Sequence, residues 1–306
     1  MLASQYSYDD CLRSSVKAAW TIEDCFRHRD FDFTRLFLPE RIAGVGGIAC
    51  LDLAEKRALN QIRANSYFHI FAFVEEYIVP MVLDHARRDV FGDEVRLRFL
   101  LRFAEEETKH QAMLRRAMTQ FESGFGAPCG VIPGREGVAR VVLGKSPLSA
   151  LLLTSMIEWF TQLHYIEHVR DQNELDPLVR DILKFHWIDE AQHAKADTLL
   201  IDEIATGMST AERERAVDEL LELGGAVDGL LADQVELDIK SLAAATGRRL
   251  TAEETDEVRT RQRRAYRWTF LVSGLEHPEF VNTVGTLTEA GARKIGAAAA
   301  RFDALP

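Results

Sequence analysis

Glu106-Glu107-Thr108-Lys109-His110 and Asp189-Glu190-Ala191-Gln192-His193 carry one chemical idea twice: an acidic residue followed by Glu-x-x-His. Both segments lie in stretches with helical periodicity. Positions i and i+3 share a helix face, so Glu107 points with His110 and Glu190 with His193. Carboxylate oxygen plus imidazole nitrogen, supplied from two helices, is how a helix bundle holds two metal ions in its core. One Glu-x-x-His is common by chance in a charged helix. Two of them, each on an apolar face, predict a metal site.

The faces can be computed at about 100° per residue. Leu100, Phe103, Ala104, Gln111, Leu114 and Met118 all fall near the direction of Glu107. A carboxylate centred on such a stripe is costly unless paired or bound to a cation. Around Glu190 the pattern repeats with Leu183, Ala194, Asp197 and Ile201, and His186 joins Glu190 and His193 within one narrow arc. Two further carboxylates complete the set. Glu75 is centred among Phe68, Phe71, Ile78, Val79 and Val82, whereas Glu76 is rotated to the edge of that stripe and is the fallback. Glu158 shares its face with Leu151, Thr154, Ser155, Gln162 and Tyr165. Thr154, Gln162 and Tyr165 are therefore expected beside the metals, where small or polar groups leave room for a substrate. Aromatic residues such as Phe71 and Phe103 suit an ordinary core as well as an arene pocket. Glu106, Asp189 and Asp197 are candidates to accept the ring N–H of a ligating histidine, Glu106 and Asp189 each from the opposite motif. Their competing reading is a solvated helix face. His164 and His168 point away from Glu158 and read as surface or supporting groups. For the set as a whole, the competing reading is a bundle whose core histidines are merely neutralised by glutamates. Seven such residues on the inner faces of four successive helices favour the metal.

Helical signals dominate the rest of the 306 residues, and no stretch is a clear strand. Asp52, Asp93, Ser146 and Asp176 read as helix starts, the last two followed by Pro at the first turn. Ser209-Thr210-Ala211-Glu212 and Thr251-Ala252-Glu253-Glu254 read as capping boxes. Gly44-Val45-Gly46-Gly47 lacks the spacing of a dinucleotide fingerprint and reads as a loop. Glycine-rich residues 122–145, with Pro128 and Pro133, read as a long crossover, and Pro80 as a kink point in its helix. The expected fold class is all-α: a ferritin-like four-helix bundle over 52–205, with helical additions over 1–51 and 206–306, in a single domain.

The net charge of -11 argues against nucleic acid, whose phosphates are bound mainly through Lys and Arg. The stretch Met1–Asp10 is polar, and no apolar run approaches the roughly 18 residues of a membrane span. Cys11, Cys25, Cys50 and Cys129 are widely spaced and read as unpaired buried thiols. Together these predict a cytoplasmic protein with no membrane partner.

The motifs His186-Trp187-Ile188-Asp189-Glu190-Ala191-Gln192-His193 and Glu107-x-x-His110, with Glu158, are similar to those of the p-aminobenzoate N-oxygenase family of di-iron oxygenases. That family adds a third histidine to the usual two Glu-x-x-His motifs and two lone glutamates, and His186 matches it. The resemblance covers residues from about 50 to 205 and implies a metal set of Glu75, Glu107, His110, Glu158, His186, Glu190 and His193. It also implies two iron ions that activate O2 to oxidise a small organic substrate, with an amine nitrogen as one target. No side chain beyond the cluster is then catalytic. Oxygen-and-nitrogen ligation fits manganese or a mixed iron/manganese pair equally well. An external electron donor is expected, because the chain carries no flavin, haem or iron–sulfur motif, and a homodimer is expected by analogy with other di-iron bundles. The alternative is a ferroxidase or iron-handling protein, against which the third histidine and the terminal additions argue. A single structural zinc is a weaker fit to seven ligands.

Overall fold

The computed structural model describes residues 6–305, so the first five residues of the polar N-terminal stretch lie outside it. The chain forms α1 (Tyr8–Lys17), α2 (Ile22–Phe26), α3 (Glu40–Ala43), α4 (Leu53–Ala86), α5 (Glu94–Phe125), α6 (Arg135–Leu143) and α7 (Pro147–Leu163). These are followed by α8 (Pro177–Thr206), α9 (Thr210–Thr246), α10 (Ala252–Arg267), α11 (Ser273–Leu275), α12 (Pro278–Leu287) and α13 (Glu289–Ala304). Among the described residues there is no strand, only an isolated bridge between Leu36 and Leu175. This is the all-α, ferritin-like bundle that the sequence predicts: α4, α5, α7 and α8 form the core, with α9 packed against α4 and α7.

Each core helix starts at its capping residue. Asp52 accepts hydrogen bonds from the N–H groups of Ala54 and Glu55, while Glu55 accepts from the N–H of Asp52 at 2.9 Å, closing a capping box. Asp93, Ser146 and Asp176 cap α5, α7 and α8 more simply, each side chain accepting one backbone N–H, from Arg96, Ser149 and Val179. The crossover departs from expectation, because residues 135–143 form α6. Helix α4 runs on through Pro80. It is also apolar enough over one 18-residue window to cross a membrane by length and composition, which the sequence reading missed. Most of that window is buried inside the protein, as expected of a central core helix. Cys11 and Cys25 are buried, but Cys50 and Cys129 are only half-buried; all four are unpaired.

Polar side chains on α4 fasten the irregular N-terminal segment. Asn60 Oδ1 accepts from the N–H groups of Phe37 and Leu38 at 2.7 and 3.0 Å, and its amide nitrogen donates to Leu38 O at 2.7 Å. Gln61 donates to the carbonyls of Phe33 and Arg35. These groups are buried, so each orphaned partner costs about 1–3 kcal/mol. Asn60→Leu should therefore lower unfolding stability by about 3 kcal/mol or more, read as a lower denaturant midpoint with an unchanged slope.

Candidate metal centre

Helices α4, α5 and α8 bring six of the predicted residues together. The candidate ligand atoms of Glu75, His110, His186 and Glu190 all lie within 4.8 Å of one another, as do those of Glu107, His110, Glu190 and His193. His110 and Glu190 belong to both groups, so the two share an edge. All six side chains are buried. Of the two neighbours on α4, Glu75 is inside with the cluster, while Glu76 is half-buried and meets Arg115 at 2.6 Å.

His186 Nε2 lies 2.9 Å from both Glu75 Oε1 and Glu190 Oε1. His110 Nδ1 is 3.0 Å from Glu190 Oε1, and His193 Nδ1 is 2.9 Å from Glu107 Oε1. Yet His110 Nδ1, both oxygens of Glu107 and Glu75 Oε2 make no hydrogen bond. These atoms converge without pairing off, an arrangement that suits a shared cation better than mutual hydrogen bonds.

The other nitrogen of each motif histidine is held from behind. His110 Nε2 donates to Asp189 Oδ2 at 3.0 Å, and His193 Nε2 donates to Glu106 Oε2 at 3.1 Å. Each bond crosses from one motif to the other, and each leaves Nδ1 facing inward. The supporting carboxylates are themselves anchored. Lys109 Nζ lies 2.8 Å from Asp189 and 4.1 Å from the centre of the Trp20 ring, which also stacks on His110. Ser15 Oγ donates to Glu106 Oε1 at 2.6 Å, and Arg102 donates to Ser15 and lies 3.1 Å from Glu106. Phe103 stacks on the His193 ring at 3.8 Å. Ser15 and Trp20 come from the N-terminal segment. Nothing in their local sequence marks them, since only the packing of α1 against α5 and α8 brings them near.

The remaining predicted residues stand elsewhere. Glu158 is buried with Oε2 unpartnered, but it lies outside both four-residue groups. Asp197 is buried on the same face of α8, yet neither oxygen has a hydrogen-bond partner, so it does not accept a histidine N–H as expected. His164 is not a surface group: its ring is buried between the Tyr67 hydroxyl at 3.2 Å and the Ser273 hydroxyl at 3.1 Å. Thr154, Gln162 and Tyr165 are buried, and they line no part of an apolar cavity that meets the surroundings of the centre only through Phe71. That cavity, about 60 Å³, is walled by apolar residues including Phe71, Leu153, Met156, Ile157 and Phe160, together with Tyr77. Thr154 sits one layer behind, donating to Ala150 O and contacting the Tyr77 hydroxyl. Tyr165, near the start of a π-helix over His164–Val169, stacks on Trp187.

Charge is distributed unevenly over the cluster. Burial opposes a charge on His110 and His193, but Asp189 and Glu190 around the first, and Glu190, Glu106 and Glu107 around the second, raise both well above the usual histidine range. Burial, with His110 and His193 nearby, drives His186 well below it. Burial and neighbouring carboxylates push Glu75 and Glu107 upward. Burial alone would raise Asp189 and Glu190, but the adjacent histidines overcome it and hold both low.

The family model described as p-aminobenzoate N-oxygenase matches residues 12–269. The chain belongs to the p-aminobenzoate N-oxygenase family. This family member is a di-metal oxygenase that oxidises a small organic molecule. Solved structures of similar shape include a variant of an R2-like ligand-binding oxidase with an anaerobically reconstituted Mn/Fe cofactor. It is 16% identical, covers 88% of this chain and 94% of its own, and has a TM-score of 0.47. Another is an R2-like ligand-binding oxidase with an aerobically reconstituted metal cofactor after photoconversion, 14% identical with the same coverage and a TM-score of 0.42. No curated protein matches the chain.

Two outcomes follow from the geometry. Before metal binds, the raised His110 and His193 hold protons through neutral pH, and a metal must displace them. Metal affinity should therefore rise with pH, and titration calorimetry in buffers of different ionisation enthalpy should register proton release. Asp189→Asn and Glu106→Gln should each weaken metal binding about 10–100-fold while the helical circular dichroism is retained.

Proposed function

We propose that this oxygenase converts an amine to a hydroxylamine, with Glu75, Glu107, His110, Glu158, His186, Glu190 and His193 holding the two metals. The carrying observation is the buried cluster itself, in a chain of the N-oxygenase family: six carboxylate and imidazole side chains converge, with His110 Nδ1, both oxygens of Glu107 and Glu75 Oε2 making no hydrogen bond. The bound pair supplies reducing equivalents to dioxygen and Lewis acidity beside the substrate. The protein's own residues do the remainder. Asp189 and Glu106 fix the tautomer and aim of His110 and His193, Phe103 and Trp20 shield the histidine rings from water, and Phe71 packs edge-on against the His186 ring.

The balanced reaction is R–NH2 + O2 + two electrons + two protons giving R–NHOH + H2O. The two electrons come from an external donor, since the chain has no redox motif of its own. Iron is the first choice of metal, with manganese or a mixed pair compatible with the same donors. The unpaired cysteines support a reducing cytoplasm, and a homodimer remains part of this reading.

The test is single-turnover reaction of the chemically reduced, iron-loaded protein with an arylamine and isotopically labelled dioxygen. One labelled oxygen in the hydroxylamine is expected, and His186→Ala should retain the fold but lose or alter the oxygen reaction. Unlabelled product, or oxidation of added iron with the amine untouched, would replace the proposal with the ferroxidase.

A further inference from the structure

Tyr67 and His164 form a buried pair that the oxygenation above does not use. Tyr67 stands on α4, about two turns before Glu75, and its ring lies 4.6 Å from that of Phe71, whose edge meets the His186 ring at 5.1 Å. The Tyr67 hydroxyl is 3.2 Å from His164 Nδ1, and His164 Nε2 is 3.1 Å from Ser273 Oγ. Ser273 donates its one hydroxyl hydrogen to Thr269 O at 3.0 Å. It can therefore only accept from His164, which puts the ring proton on Nε2 and leaves Nδ1 bare. Tyr67 must then donate to Nδ1. Burial, with His168 and His277 nearby, pushes the His164 pKa down to about 3, so the ring is neutral.

A phenol hydrogen-bonded to a neutral imidazole can lose an electron without keeping a positive charge, because its proton has a base within reach. Nearby aromatic groups lack that outlet. Tyr77, also on α4, meets the Thr154 hydroxyl, which already donates to Ala150 O and is no base. The guanidinium of Arg63 lies 3.2 Å from the centre of the Tyr266 ring, and that of Arg41 lies 4.2 Å from the Trp268 ring, where a cation opposes loss of an electron. Trp268 is the next ring beyond His164, at 5.5 Å, so an oxidising equivalent arriving through Phe71 comes to rest on Tyr67. The electron count gives it a use. Amine oxygenation takes two of the four electrons that dioxygen accepts from the substrate itself. With no amine bound, reduction of dioxygen to two waters needs two further electrons.

We infer that Tyr67 supplies one of these two electrons to the oxygen-oxidised metals, through Phe71 and His186, as its proton passes from Oη to His164 Nδ1. The O–H bond breaks and an N–H bond forms. A neutral tyrosyl radical and an imidazolium remain, and the centre is reduced by one electron. The external donor supplies the other electron and later restores Tyr67, whose proton returns from His164; the protons that make water come from solvent. The inference rests on oxygen chemistry at the centre and not on which molecule is oxygenated.

The experiment mixes chemically reduced, iron-loaded protein with dioxygen and no amine, and follows frozen samples by electron paramagnetic resonance. An organic radical is expected, with a hyperfine pattern that narrows when the tyrosines carry ring deuterium. Its yield should fall at least tenfold in Tyr67→Phe, which keeps the ring and loses only the hydroxyl, and in His164→Gln, with iron content and helical circular dichroism unchanged. It should persist in Tyr77→Phe. Where His164→Gln does not fold, radical formation at least twofold slower in deuterium oxide reads the same proton transfer. Iron oxidised without a tyrosyl radical, equal yield in Tyr67→Phe or in folded His164→Gln, or a rate indifferent to solvent deuterium would overturn the inference and leave the pair as a structural clasp. Iron that dioxygen leaves reduced would overturn it together with the oxygen chemistry of the centre.

Discussion

Burying this much charge is the constraint that shapes the molecule. Glu75, Glu107, Glu158, Glu190 and Asp197 are buried with three histidines in a core otherwise built from Leu, Phe and Ile. Taken out of water alone, each carboxylate would cost several kcal/mol. Two divalent ions would neutralise four of them. Without them the cluster is electrostatically uneven: neighbouring carboxylates raise His110 and His193 against the effect of burial, burial lowers His186, and burial raises Glu75. The long helices follow from the same demand. Rigid helices hold the carboxylates at such separations against their repulsion, and a side-chain cap starts each of the four at a defined residue.

Much of the centre was legible because helical periodicity converts spacing into direction. The choice of Glu75 over Glu76 needed only the apolar stripe around it, and the crossed hydrogen bonds of Glu106 and Asp189 followed from their 100° offset. What periodicity could not give was anything assembled across distant segments. The apolar cavity draws walls from α4, α6, α7 and α9, an assembly that no single helix face shows. Asp197 lies on the predicted face but meets no histidine N–H, because Asp189 and Glu106 already hold Nε2 of His110 and His193. Helix α6 was hidden by the glycines that flank it.

The two motif histidines are alike in sequence but not in support. His110 is backed by Asp189, a lysine and an indole; His193 is backed by Glu106, a serine and an arginine. A mobile ammonium under an aromatic ring and a planar guanidinium with five donors polarise a carboxylate differently. The two metal positions therefore differ electrostatically even where their direct donors match.

The anchoring of Ser15 and Trp20 has a consequence for the dynamics of the chain. Docking of residues 8–26 and occupation of the centre are coupled equilibria, and coupling of this kind is reciprocal. A metal that tightens the hold on Glu106 and Asp189 protects the N-terminal helices from local opening, and fraying of those helices loosens the metal by the same factor. Amide exchange along α1 is thus a gauge of metal occupancy, read from a segment that contributes no donor atom to it.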